Sequence, residues 1–509
     1  VTSFKFGIFG FKVGGFFNSL FSNYDLHPQF KPGFFDQETF KIEKSASERD
    51  STYWQATRPV PLTTDEQGDY VKKDSLQVIW KSKEYLDSID HRDNKFRPIR
   101  YIFSGFQWNN SFRHTTFSTQ PLLFLLQFNT VQGRTAILQP VWTHYDGEGR
   151  TRFLRVKGNF NYGLSDQRFH GSAQIERRFE SIHYTRLELS GGVQRAQFND
   201  RDPIASFTNM LYSLLDRRNY LNLYEKTFVG AEASRMLWPG LRVRVNAEWA
   251  DRHELFNTSD NSWYKKDDHQ YTDNRPYTGT GDDREQLEFA RIFSLGLELR
   301  LRPGQTYSSY PNFRVYDESK WPDLYLRYRK AVPGIGGSTA DYDFVQGEIR
   351  KENLRWGLAG FTDLDLTGGM FLQHNRLGFM DFYHPMGNQT LLGKPSRYNS
   401  SFLQLPYYAF STSRPFVEAH LQHHLQGWLL DKIPGIRKLG WKEVFGGGIY
   451  YADQPSNDPK YPYVLPYWEV NAGFENIGIK AFRMLRIDVV TSFFGSQYYR
   501  TGLVLGIDF

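Results

Sequence analysis

Two stretches of the chain carry side chains whose types and spacing could do chemistry. In "VEAHLQHHLQG", residues 417–427, Glu418, His420 and His424 fall at even spacing. On a β-strand they share one face with Gln422, while His423 joins Val417, Ala419 and Leu421 on the other. Two imidazoles and a carboxylate make a zinc-type donor set. Neighbours two apart on a strand stand roughly 6–7 Å from each other, wide for one ion unless a second strand contributes. The reading is a polar inner wall. Glu418, His420 and His424 are the candidate metal ligands, and no metal or other cofactor is assigned.

In "FMDFYHPMGNQTLL", residues 379–392, Asp381, His384 and Asn388 stand in a long connection. An Asp-His pair serves catalysis only beside a nucleophile, and no Ser lies in an elbow motif. The chain has no cysteine, which excludes thiol nucleophiles, disulfides and Cys-based zinc sites. No catalytic residue is assigned. Asp381, His384 and Asn388 are expected in a segment that folds inward to plug or gate a lumen. The Asp-rich stretch 259–285 lacks EF-hand spacing, and "GIGG" and "GGG" lack the Lys-Ser/Thr sequel of a phosphate loop.

The elements that would position these residues are strands. In "LRVRVNAEWADR", residues 241–252, Leu241, Val243, Val245, Ala247 and Trp249 alternate with Arg242, Arg244, Asn246 and Glu248. "RMLRIDVVTSF" and "EFARIFSLGLELRLR" repeat the pattern, with Arg291 as the exception, a residue that can snorkel from a strand end. Lipid-out, water-in strands of a transmembrane barrel read this way. Composition agrees: mean hydropathy is -0.58, yet 17% of residues are aromatic. No apolar run approaches the roughly 18 residues of a transmembrane helix. A net charge of +6, spread without blocks, gives no basic stripe for nucleic acid.

Strand patterns near 100, 135, 152, 169, 183, 226, 241, 287, 323, 342, 357, 416, 441, 465, 484 and 500 predict an all-β, transmembrane antiparallel barrel of about 16 strands. Tight turns at 146–149 and 238–240 alternate with long connections at 253–286 and 373–415, which places short turns in the periplasm and long loops outside. After Pro203, Ile204, Phe207, Leu211, Leu214 and Leu215 have helical spacing, so one outer loop carries a helix. Residues 1–96 form a periplasmic segment in which Thr63 and Glu66 make a capping box ahead of an amphipathic helix. Residues 97–509 form the barrel. The start at Val1 reads as a processed or trimmed chain, and the closing alternation "YRTGLVLGIDF" makes Phe509 an expected assembly signal at the end of the last strand.

The phrases "YWQATRPVPLTTDE", "YLDSIDHRDNKF", "QFNTVQG" and "YPYVLPYWEVNAGFENIG" resemble a Bacteroidota outer-membrane barrel family of unknown function that follows a carboxypeptidase-regulatory-like domain. That family is distantly similar to BamA/TamA-type barrels in strand number, in a helical segment before the first strand and in a long loop between strands eleven and twelve. The Val-Arg-Gly-aromatic motif of those barrels has no counterpart in 373–415 and no POTRA repeat is legible in 1–96, so no functional residue is carried over. The resemblance implies a non-enzymatic outer-membrane barrel, an accessory or scaffold subunit in protein insertion, secretion or surface export. Its expected partners are outer-membrane lipid and other envelope proteins in a complex. The alternative is a channel or transporter for small solutes or lipids.

Overall fold

A computed structural model describes residues 2–507 except 9–10, 18–23, 31–36, 46–48, 59, 148, 265–269, 277–288, 455, 457, 459 and 480–481. Phe509 lies outside the described residues. The chain opens with a hairpin, β1 (Thr2–Ile8) and β2 (Phe11–Phe17), and a short strand, β3 (Glu38–Lys41). Among the described residues helices follow at α1 (Ser51–Thr57), α2 (Thr64–Lys81), α3 (Lys83–Asp93) and α4 (Pro98–Ser104). The capping box is present: the Thr63 hydroxyl accepts from the Glu66 amide and the Glu66 carboxylate accepts from the Thr63 amide.

The wall then begins, with β4 (Gln107–Asn110), β5 (Thr115–Ser118), β6 (Leu126–Asn129), β7 (Gly133–Leu138), β8 (Val141–Tyr145), β9 (Phe153–Gly163), β10 (Phe169–Arg178) and β11 (Arg186–Gln197). Helix α5 (Ser206–Asp216) interrupts it in a connection, as the periodicity after Pro203 predicts. The wall continues through β12 (Leu223–Trp238), β13 (Leu241–Glu254) and β14 (Ile292–Leu301). A side hairpin comes next, β15 (Tyr307–Ser309) and β16 (Arg314–Tyr316). The rest are β17 (Asp323–Ala331), β18 (Asp341–Arg355), β19 (Phe361–Arg376), β20 (Phe416–His424), β21 (Lys442–Ala452), β22 (Tyr467–Ile479), β23 (Phe482–Phe494) and β24 (Gln497–Ile507).

Nineteen of these elements wrap around in barrel order, bringing β24 beside β4. Two pairs are single strands with a break. β7 and β8 keep one register against β9, with Leu138 opposite Phe160 and Val141 opposite Lys157, and are parted at Pro140, which has no N–H for a ladder. β5 and β6 are parted by a 3-10 turn at Leu122–Phe124, and the Gln120 side chain stands in for the ladder there, accepting from the Gln139 amide at 2.7 Å. Counted so, the wall has sixteen long strands plus the four-residue β4, close to the sequence expectation. The difference lies at its start: residues 98–104 are helical, begun by Pro98 at the first turn, so the wall opens at Gln107.

The ladder is antiparallel from β4 to β24, but among the described residues no register pairs β24 with β4. Both edges are covered by other parts of the chain. Leu392 bridges Leu505 in parallel, with the Leu505 amide donating to Leu391 O at 2.7 Å and the Gly393 amide donating to Leu505 O at 2.9 Å. On β4, Asn94 from the end of α3 exchanges two 2.8 Å bonds with the Asn109 backbone, and Asp90 accepts from the Ser111 amide and hydroxyl.

Alternation separates the two faces. Leu189, Val229, Val245, Leu295, Leu326, Leu366, Val417, Ile449, Val470, Val489 and Leu503 are exposed on the outer face, a continuous apolar belt far larger than a water-soluble monomer presents. Arg291 precedes β14 and pairs with Asp251 at 2.8 Å. Among the described residues no helix is long and apolar enough to cross a membrane. Leu295→Arg in mid-belt should destabilise the barrel by about 2–4 kcal/mol if lipid covers this face. The heat-modifiable gel shift in outer-membrane-like vesicles would read this as a loss of the folded band.

Candidate functional site

The connection between β19 and β20, residues 377–415, folds into the barrel. Polar inward-facing groups need partners once water is displaced, and this segment supplies them strand by strand. Asp381 is almost fully buried and takes two bonds from Arg252 on β13, at 2.8 and 2.9 Å, and one from the Tyr342 hydroxyl on β18 at 3.0 Å. Burial alone would raise its carboxyl, but the Arg252 guanidinium outweighs that and holds it below the usual carboxylate range. Tyr383 stacks on Phe416 with ring centroids 3.5 Å apart and donates to Glu418 on β20 at 2.5 Å. Arg201, from the α5-bearing connection, lies 3.7 Å from Glu418 and donates to the His384 carbonyl, which Asn199 also reaches.

Farther along, the Leu403 and Gln404 amides donate to Glu469 on β22 at 2.6 and 3.0 Å. The Tyr398 hydroxyl donates to Asp488 on β23 at 2.8 Å, and Gln404 bonds the Val490 carbonyl and accepts from Ser492. Phe402, fully buried, packs on His420, Tyr450 and Tyr467. Inward glycines make room: a Cβ on Gly448 would come within 2.9 Å of the Phe402 ring, and one on Gly506 within 2.7 Å of Tyr398. Gly448 of the "GGG" stretch is thus a seat for the inserted segment, while Gly446 makes room for Gln422 of the wall.

The sequence candidates are placed as follows. His384 is buried, its Nδ1 2.6 Å from the Ser411 hydroxyl. Its Nε2 has no partner among the described residues, and Asp381 is engaged elsewhere, so no Ser-His-acid relay is assembled. Burial pushes this imidazole down to about 3, which keeps it neutral at physiological pH. Asn388 organises the turn that carries the edge-covering residues, accepting from the Thr390 amide and hydroxyl and from Tyr407, and donating to the Thr390 and Leu403 carbonyls. Glu418, His420 and His424 do share the inner face of β20, but each meets a different neighbour. Tyr383 binds Glu418, Phe402 packs on His420, and Glu475 lies 2.8 Å from His424. Among the described residues no group of three His, Asp or Glu is placed to hold a metal ion. Of the Asp-rich stretch 259–285, residues 265–269 and 277–285 lie outside the described residues.

Arg252, Tyr342 and Arg201 were not singled out by sequence. Arg252 continues the inward parity of Arg242 and Arg244, so its direction was legible, whereas its pairing with Asp381 spans strands and a loop.

Opposite the inserted segment the inner wall of β9 to β19 is a charge lattice. Arg244 lies 3.2 Å from Glu298, Arg327 joins Glu298 and Glu348 at 2.8 and 2.5 Å, and Arg350 joins Glu348 and Asp365 at 2.6 and 3.0 Å. A cavity of about 470 Å³ separates this lattice from Met380, Tyr383 and His384.

Wall and insert together define an antiparallel β-barrel whose lumen is partly filled by its own chain. The chain belongs to the family of unknown function (DUF5686) C-terminal domain, whose pattern it matches over residues 99–474, and the family resemblance read from its phrases is borne out. No curated protein sequence matches it. Among solved structures it is similar to BamA from Haemophilus ducreyi lacking POTRA domains 1-3, at 10% identity and a TM-score of 0.37, covering 74% of this chain and 67% of that one. It is also similar to CdiB from Acinetobacter baumannii, at 10% identity and a TM-score of 0.34, covering 75% of this chain and 58% of that one. A mutant Rh. blastica porin aligns at 9% identity and a TM-score of 0.29, over 75% and 94% of the two chains.

Asp381→Ala would leave Arg252 buried without its carboxylate, a change that costs about 3–5 kcal/mol in comparable sites. Limited proteolysis should then cut within 377–415, which is protected in the parent. Because His384 is neutral in the packed state and would titrate near 6.5 once released, stability of the insert should be full above that pH and decline as pH falls toward 3. Hydrogen-exchange protection factors of residues 383–412, referred to the intrinsic rate at each pH, should fall between pH 6.5 and 4.5, and less so in His384→Asn.

Proposed function

We propose that the protein is a plugged outer-membrane β-barrel that serves as a non-enzymatic accessory or scaffold subunit in envelope biogenesis, in protein insertion, secretion or surface export. The outer apolar belt supports residence in a bilayer, and the inward charges that alternate with it fit the wall of a membrane-spanning barrel. The observation that carries the scaffold reading is the insertion of 377–415. Its buried contacts with β13, β18, β20, β22 and β23 obstruct solute flow and fix the wall, which suits a docking platform better than a pore. The N-terminal helices lie at the end of the barrel that would face the periplasm, where soluble partners are available. Outer-membrane lipid and other envelope proteins are its partners in this reading.

A second reading, a channel or transporter for small solutes or lipids, draws on the charged cavity of about 470 Å³ beside the insert. Planar-bilayer recording separates the two. A scaffold should show no steady conductance, and Gly448→Leu, which crowds Phe402, should produce openings by loosening the insert. Native purification should recover insertion or secretion components. A steady open pore in the parent, with no co-purifying protein, would overturn the scaffold reading.

A further inference from the structure

The inner wall at the tight-turn end carries arginines that face one another across adjacent strands. Arg178 stands directly opposite Arg186 between β10 and β11, and Arg242 opposite Arg300 between β13 and β14. Like charges in direct cross-strand register are destabilising, and the local carboxylates are taken up by one member of each pair, Arg186 and Arg300. Arg186 is taken up by Glu176, Glu188 and Glu232, and Arg300 and Arg302 share the single carboxylate of Asp323 at 2.8 and 2.6 Å. Arg178 and Arg242 have no ion pair among the described residues, and the Nε atom of each is buried without a hydrogen-bond partner.

Three of these guanidinium groups, those of Arg242, Arg300 and Arg302, border a built cavity. A space of about 250 Å³ is lined by Arg242, Arg300, Arg302, Gln305, Tyr184 and Tyr316. Its roof is the β15–β16 hairpin, which pairs with β3 and is fastened to the wall: the Tyr184 hydroxyl donates to Arg314 O at 2.7 Å and the Tyr316 hydroxyl to Ile182 O at 3.0 Å. The Arg178 guanidinium lies over the Phe153 and Tyr184 rings, 5.0 and 5.7 Å from their centroids, which holds it in place without neutralising it.

We infer that this pocket beneath the β15–β16 hairpin is a binding site for a phosphomonoester-type anion, held by Arg242 with Arg300 and Arg302 around it. Planar guanidinium forks match phosphate oxygens in pairs. A dianion among these arginines turns their mutual repulsion into shared attraction. The same group occurs as free phosphate and as a lipid headgroup, and the rim of Met236, Val315 and tyrosines leaves apolar surface beside it.

The full chain, purified in zwitterionic detergent, is titrated calorimetrically with inorganic phosphate, with short-chain phosphatidic acid and with short-chain phosphatidylcholine as the control. Saturable binding of phosphate or phosphatidic acid, absent with phosphatidylcholine and weakened tenfold or more in Arg242→Gln, supports the site. Equal affinity for the two anionic probes marks free phosphate as the sufficient ligand, and binding of phosphatidic acid alone marks a lipid headgroup. Arg242→Gln must keep the heat-modifiable gel shift, and without phosphate it should melt no lower than the parent because a repulsion has been removed. Arg242→Lys, which keeps the charge, should retain partial binding. The inference falls if neither anion binds saturably, or if Arg242→Gln binds as the parent does.

Discussion

A β-sheet rolled into a wall has two edges, and in a medium without water every backbone N–H and C=O on them must be satisfied. The rest of this structure depends on how that constraint is met. The edges are not joined by a described ladder between β24 and β4. Asp90 and Asn94 cover the β4 side from helix α3, and residues 391–393 cover the β24 side from inside the barrel. Helical segment and inserted segment, which look like accessories in the sequence, therefore complete the wall. Their polar groups are short, local and geometrically fixed, which is what backbone edges require and hydrophobic packing cannot give.

Bringing residues 391–393 to the β24 edge forces the rest of 377–415 through the lumen, and the lumen divides accordingly. Along β20 to β24 the insert replaces water: Phe402, Tyr398 and Gln404 press against the wall, and Gly448, Gly502 and Gly506 stand where side chains would collide with them. Along β9 to β19 the wall meets much of its charge within itself, with Arg186, Arg244, Arg327 and Arg350 each shared among two or three carboxylates. Exposed ion pairs contribute little singly, but an inward lattice with few free charges holds strand spacing and orientation together. Asp381 links the halves, since its partners Arg252 and Tyr342 belong to the charged side.

Strand parity was legible from sequence because it is a local property with period two. The face of Arg242, the outward row ending at Leu503 and the capping box at Thr63 and Glu66 all follow from neighbours within a few residues. The helix at Pro98–Ser104 was read as strand because its short apolar run fits either period, and only the proline at its first turn argues for helix. The candidate site was half legible. Asp381, His384 and Asn388 do lie in a segment folded inward, but their partners are remote in sequence, as with Arg252, Ser411 and Tyr407. The even spacing of Glu418, His420 and His424 was read correctly as one face. What each side chain meets there is decided by the insert and by β22, which no local pattern encodes.

The network around Asn388 couples the insert to the seam. Its side chain fixes Thr390, the next residues pair with Leu505, and the Asn388 carbonyl accepts from Arg500 on the same strand. Withdrawal of the insert from the lumen would thus strip backbone partners from β24 and remove the carbonyls that hold Arg500. Opening the lumen and uncovering the last strand are one event in this fold, because one continuous segment, residues 377–415, does both. A molecule that displaced the insert would need to offer an extended backbone to β24 as well as polar groups to the wall, a demand that a small solute cannot meet and a polypeptide can.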